Sequence, residues 1–440
     1  MSESVELFFR AVRFTPIWGV IDLLCILHFF SSWYRTAQKT GWKIDFWHLT
    51  LFTGLFQSTL ILYPFNASIY NAPATLGCLE KIFPFIDRAF AISILGYCFV
   101  WIGRYTFDWT HGRFAFAALT QAVRPLAQVV EANIKNRNTF ILIGWVAAVL
   151  GLTVLAIQFA HGSFFNGRGF FLKSPYLRPL FNITVSIFPI ALAFLALRYV
   201  QFKEKGTLKM FAFLLFLSLF FGVRFIFISG ILFFFVQHIF YKEGRVSLLK
   251  LGVGCFGLLF ITVFLGALRD GNYNPLYAFA SLFLHFFYGN NFSDVRDFAW
   301  ILSYWDGELL CGKSYVAALL SFIPRAFCSL REQWGFSLYT NDLVGFDSEI
   351  MPGLRPGLFG EPFLNFGFLG VVLSGWLFGF VLRYADHQIK QAVKGSKDVI
   401  KGYSLTVGSY FLQCMIITAG MWMVYVFVLL NLALIPFRRK

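Results

Sequence analysis

Arginine at the ends of apolar runs is the first chemical signal in this chain. Arg224 lies between two short apolar stretches, Arg269 closes another, Arg325 follows Pro324, and Arg355 stands just ahead of a further one. An ionisable side chain at membrane depth is costly, which makes it a functional candidate by default. The guanidinium stays charged and its planar fork matches phosphate oxygens. Several forks at one membrane face therefore suit a lipid-linked phosphate or pyrophosphate; the alternative for any one of them is snorkelling to lipid headgroups. A second constellation is GEPFLNFGFLG at 360–370. Glu361 and Asn365 stand at i and i+4 and share a helix face. A carboxylate at the mouth of a span is a candidate general base, or else the counter-ion of a nearby arginine. Gly367 and Gly370 permit close helix packing.

The elements that must position these residues follow from composition. Apolar residues make up 58% of the 440 residues and charged ones 13%, against about 25% charged in a soluble protein. That is far too much apolar surface for one water-soluble core. The apolar runs are ~17–25 residues long and do not alternate, which selects helices over a barrel. Spans are read at 14–33, 46–63, 88–107, 139–160, 180–199, 208–222, 224–240, 248–268, 358–382, 402–418 and 420–436. The expected fold is an all-α polytopic membrane protein with about eleven transmembrane helices. Residues 1–268 form an N-terminal transmembrane bundle of about eight spans, 269–357 a large structured loop, and 358–440 the last three or so helices.

Orientation follows from the basic loops. Lys and Arg gather in 34–45, 108–138, 198–209, 241–250, 383–401 and the tail Arg438-Arg439-Lys440. These alternate under the span list, so all are assigned to the cytoplasm, with the C-terminus inside and the N-terminus outside. Segment 161–179, with Arg168, Lys173 and Arg178, breaks the pattern. Loop 269–357 falls outside, and its nine acids outnumber its bases. It holds apolar stretches at 276–287 and 315–324, expected as short helices at the membrane surface. A structured outer loop of this size argues for a site.

Other classes are excluded or lose ground. The chain has no Walker loop, no dinucleotide fingerprint, no HExxH and no zinc cluster, so neither a metal nor a cofactor is expected. The formal net charge of +15 is accounted for by cytoplasmic loops, so no nucleic acid is expected. The seven cysteines are scattered. Cys311 and Cys328, both in the outer loop, are the two placed to pair in an oxidising compartment.

The segment GKSYVAALLSFIPR at 312–325, then the loop to Gly353-Leu354-Arg355-Pro356-Gly357, then GEPFLNFGFLG, resembles the bacterial oligosaccharide repeat-unit polymerases, the Wzy-type O-antigen polymerases. Members of that family show a Gly-Lys-Ser-Tyr-like stretch running to Pro-Arg, then Gly-Glu followed by Asn-Phe-Gly. Val223-Arg224 resembles the family's arginine between paired helices, and Arg269 its arginine at the start of the large periplasmic loop. The likeness covers about 220–382 by motif and 1–200 by topology alone. Where family members often carry a Lys just after the Pro-Arg, this chain has Arg331.

The resemblance implies a GT-C-like glycosyltransferase of the bacterial inner membrane, with its active site on the periplasmic side. Its substrates would be oligosaccharides on undecaprenyl pyrophosphate, and a chain-length regulator would be a partner. It implies pyrophosphate or sugar contacts at Arg224, Arg269, Arg296, Arg325 and Arg355, with Asn365 beside them. Glu361 would be the base, with Glu308 and His285 in reserve, and Tyr315 and Trp305 would stack on sugar. A lipid tail would need a groove between spans. Two rivals are an O-antigen ligase, with the same chemistry on another acceptor, and a non-enzymatic transporter or flippase of lipid-linked sugar.

Overall fold

A computed structural model describes residues 15–61, 63, 79–110, 115–162, 170–171, 174, 176–269, 293–324, 327–346 and 353–438. Among these residues every regular element is a helix. In chain order they are α1 (Pro16–Thr40), α2 (Phe46–Leu51), which widens into a π-helix over Phe52–Ile61, α3 (Leu79–Thr110), α4 (Ala115–Lys135), α5 (Arg137–Ala160) and α6 (Arg178–Phe202). Then come α7 (Lys205–Ser218), α8 (Arg224–Tyr241), α9 (Leu248–Arg269), α10 (Asp294–Tyr304), α11 (Lys313–Leu319), α12 (Ser329–Trp334) and α13 (Phe336–Val344). The chain closes with α14 (Gly357–Ser396), α15 (Val399–Leu405), α16 (Val407–Ile416) and α17 (Met421–Ala433).

Local chemistry sets many of these ends. Pro16 opens α1, where its missing N–H is no loss. Asp45 caps α2 by accepting the His48 N–H at 2.8 Å, Asn136 caps α5, and Asp398 caps α15 through the Lys401 N–H at 2.9 Å.

Among the described residues, five helices are long and apolar enough to cross a membrane: Pro16–Thr40, Lys81–Thr110, Arg137–Ala160, Arg178–Phe202 and Gly357–Lys394. The protein is therefore a helical membrane protein. Several expected spans take another form. Segment 46–63 is a short α-helix running into the π-helix, 402–418 is split at Thr406, and α3 begins nine residues before the expected 88. Segment 108–138, read as a loop, contains α4, whose residues Val123, Leu126, Ala127, Val130, Asn133 and Ile134 turn inward while Gln121, Arg124 and Gln128 stay exposed. That spacing marks a helix packed by one face.

Among the described residues, two large apolar cores hold the bundle, one around α5, α6, α7 and α8, the other around α1, α2, α3, α10 and the start of α14, with a small third cluster of Phe107, Phe380, Val381 and Tyr384 between α3 and α14. Helices α3 and α14 meet backbone to backbone. A Cβ on Gly103 would lie 2.0 Å from the Trp376 carbonyl oxygen, and one on Gly379 would lie 1.9 Å from that of Val100. Glycine at these positions allows the approach. The close packing expected of Gly367 and Gly370 thus belongs to Gly103 and Gly379.

The basic segments collect at one end. Lys135 pairs with Asp398 at 2.6 Å, Arg198 donates to the Lys135 carbonyl at 2.6 Å and to Glu204 at 2.7 Å, and Arg438 reaches Asn133 at 2.8 Å. Asp386 accepts the Phe46 N–H at 3.1 Å, and Trp42 meets Phe240. The opposite end carries α10 to α13, with Lys81 over the Tyr304 ring at 3.4 Å.

Candidate functional site

The site is built on a break in α14. Gly367 sits at φ 62, ψ −149 inside an otherwise helical run, a combination that only glycine adopts without strain. The turn is sharp: a Cβ on Gly370 would lie 2.3 Å from the carbonyl oxygen of Pro362, positions that a straight helix would hold about 12 Å apart. Breaking the ladder frees carbonyls, which must find other donors. The segment 310–312 supplies them. The Leu310 N–H donates to the Leu364 carbonyl at 2.9 Å and the Cys311 N–H to that of Asn365 at 3.1 Å. The Gly312 N–H donates to the Asn365 side-chain oxygen at 3.0 Å.

Glu361 lies beneath this seam and is 2% exposed. Its carboxylate accepts the Ser314 hydroxyl at 2.7 Å, the Thr418 N–H at 3.1 Å and the Thr418 hydroxyl at 2.8 and 3.0 Å. Asn365 donates to both the Ser314 hydroxyl and the Glu361 carbonyl at 2.9 Å. The i, i+4 relation read from the sequence is therefore a physical contact. Among the described residues no cation pairs with Glu361, so the counter-ion role finds no partner there. The network ties three segments together: the start of α11, the first half of α14, and the 3-10 turn at Thr418–Gly420 between α16 and α17.

The two predicted arginines whose side chains are described meet at Asp297. Arg296 is buried and donates to the Asp297 carboxylate at 3.1 Å. Arg355 is exposed, and its backbone N–H donates to the other Asp297 oxygen at 3.3 Å. Asp294 packs against Gly357, at the start of α14. Two carboxylates thus sit where the first turn of α14 presents free N–H groups and positive potential. Burial pushes the Asp294 carboxyl up to about 6, Asp297 adds to the rise, and a Ser58 hydrogen bond and the Arg355 charge oppose it.

Trp305 donates its indole N–H to the Glu308 carbonyl at 2.8 Å and stands edge-on to Phe363. Glu308 is exposed, and its N–H is held by Asp306 at 2.9 Å. Tyr315 stacks on Phe366 with ring centroids 5.9 Å apart. Arg224 opens α8 and Arg269 ends α9, but their side chains lie outside the described residues, as do His285 and Arg325 altogether. The apolar stretch 276–287 is also outside them. The stretch 315–324 contributes to the short helix α11. Cys311 and Cys328 are unpaired thiols in this structure.

Sequence reasoning missed Ser314, Thr418, Asp294 and Asp297. Ser314 stood inside a noted motif, and Thr418 sits beside the Ala419-Gly420 turn. The spacing of Asp294 and Asp297 around Arg296 was the trace of the carboxylate pair at the start of α14.

Two adjoining cavities, of 440 Å³ and 370 Å³, run between α2, α8, α14, α15 and α16. They share Phe46, Thr50, Ser229, Phe233, Tyr403, Thr406 and Gln413, and among the described residues no charged side chain lines either. Compared with known proteins, the chain matches no family model, no curated protein and no solved structure.

Proposed function

We propose that the chain is a membrane glycosyltransferase that polymerises undecaprenyl-pyrophosphate-linked repeat units into O-antigen or a related surface polysaccharide. In this reading the loop 269–357 faces the periplasm and the basic end faces the cytoplasm. The observation that supports it most is the seam itself. The two stretches that resemble the polymerases, GKSY at 312–315 and GEPFLNFG at 360–367, lie far apart in sequence yet hydrogen-bond directly through Gly312, Ser314, Glu361 and Asn365. The uncharged cavities suit a hydrocarbon tail, with the charged headgroup held elsewhere.

The acceptor sugar's hydroxyl oxygen attacks the anomeric carbon of the donor glycan. The bond to pyrophosphate breaks, the hydroxyl proton passes to a carboxylate, and undecaprenyl pyrophosphate leaves with the bonding electrons. Arg355, exposed at the mouth of α14, is placed to stabilise the charge that develops on it. Glu361 is fully engaged by Ser314 and Thr418. Glu308 is an exposed carboxylate open to an acceptor.

A second reading, transport of the lipid-linked sugar, is favoured by the interruptions at Gly367, Thr406 and 417–420, since broken helices are common in transporters. The test is purified chain with undecaprenyl-pyrophosphate-linked repeat unit as sole substrate. The proposal expects a glycan ladder and release of undecaprenyl pyrophosphate, with Arg355→Ala losing both and Arg355→Lys recovering little. Movement of the unit across a vesicle membrane without change in length would establish transport instead.

A further inference from the structure

We infer that the turn 305–308, together with Lys313, Trp334 and Tyr339, forms a rim that binds a pyranose glycan beside the seam. This rests on the glycosyltransferase reading, which already draws on Trp305 and Glu308, and adds Asp306, Lys313, Trp334 and Tyr339 to it. The turn is fixed by its own hydrogen bonds, the Trp305 indole to the Glu308 carbonyl and the Glu308 N–H to Asp306, so the exposed Asp306 carboxylate is held in place rather than free to wander. Trp305, Trp334 and Tyr339 pack against the same apolar core, and Trp334 and Tyr339 lie ring on ring with centroids 6.1 Å apart, both partly exposed. The Lys313 ammonium sits 4.2 Å over Trp334. Burial pushes the Tyr339 hydroxyl upward in pKa, and the Asp306 and Glu308 charges push it the same way.

The chemistry is that of sugar recognition. A pyranose ring offers an apolar C–H face and an edge of hydroxyl donors. Flat aromatic surface takes the face, as Trp and Tyr do at binding sites where one side is apolar and the other wet. A fixed carboxylate accepts from the edge, and the Lys313 ammonium, displaced from Trp334 by the incoming ring, donates to sugar oxygens. The rim stands on α11 to α13, and α11 is pinned to Glu361 through Ser314, so a glycan held here lies next to the seam.

The probe is the surface polysaccharide of the source strain, freed of lipid by mild acid and added to full-length protein in nanodiscs. Saturation-transfer NMR should show saturable binding. Trp334→Ala should weaken it roughly tenfold or more, as loss of an aromatic anchor does. Asp306→Asn should weaken it by several-fold, with the melting curve of each variant unchanged. Absence of binding by the wild-type chain, or binding by both variants within twofold of wild type, would overturn the rim. Glycan ladders from the same variants separate the two claims. Rim-dependent binding by a chain that makes no polymer leaves the rim standing and removes the polymerase. A full ladder with rim-independent binding does the reverse.

Discussion

At the scale of single residues, Glu361 decides between chemistry and scaffolding. Its carboxylate accepts from two hydroxyls and one backbone N–H. Glu361→Gln turns an amide N–H₂ toward those donors and leaves buried donors unmade, at about 1–3 kcal/mol. We expect a lower melting temperature and reduced polymer together, with Ser314→Ala milder, while Glu308→Gln melts like wild type and loses ~10²–10⁴-fold in turnover. A Glu361→Gln protein that melts normally and loses turnover to that extent would make Glu361 the base. Asp294 gives a pH signature. Its carboxyl is raised from an ordinary 3.8 to about 6, chiefly by burial. The folded state therefore binds the proton more tightly than the unfolded chain, and stability falls as pH rises from about 4 to about 6, then levels. Asp294→Asn should flatten that part of a pH series of melting curves and melt higher at pH 7. A series identical to wild type would refute this account of the site's electrostatics.

At the scale of elements, the break at Gly367 organises everything around it. A Cβ there meets open space, its nearest neighbour being Leu309 at 4.0 Å, so Gly367→Ala fails through backbone strain of about 1–3 kcal/mol rather than through crowding. Straightening α14 would also take back the carbonyls of Leu364 and Asn365. Hydrogen exchange at Leu310 and Cys311 should then rise in the variant while the α3–α14 contact stays protected. Unchanged exchange at both amides would show that the loop is seated by other contacts. Here sequence reasoning had a boundary. The hydrophobic run from 358 is visible in composition and reads as one span, whereas a break depends on φ and ψ at one glycine, which composition does not carry. The amphipathic spacing of α4 was present in the sequence and was masked by the basic residues that marked 108–138 as a loop. The split at Thr406 had no signal beyond a polar residue in an apolar run.

At the scale of the whole molecule, charge alternation was legible because it acts over tens of residues. The segments it assigned to one side do meet, through Lys135 and Asp398, Arg198 and Lys135, and Gly244 against Trp42 and Ile44. What it could not supply was which groups of the loop 269–357 reach which span, since those pairings cross about fifty residues and rest on backbone N–H groups, an amide, a hydroxyl and one carboxylate rather than on paired charges. The sidedness itself is testable. An Asp342→Cys protein should react with an impermeant thiol reagent in outer-permeabilised cells, and a reporter after Lys440 should be active only in the cytoplasm; the opposite result for either reverses the orientation. The most direct measurement of the central claim is the surface glycan of a strain lacking this chain. Polymerisation predicts single repeat units on the surface, with the long ladder restored by the wild-type chain and not by Arg355→Ala at equal protein level. A deletion strain that shows no surface repeat units at all, or one that keeps its full ladder, would contradict it.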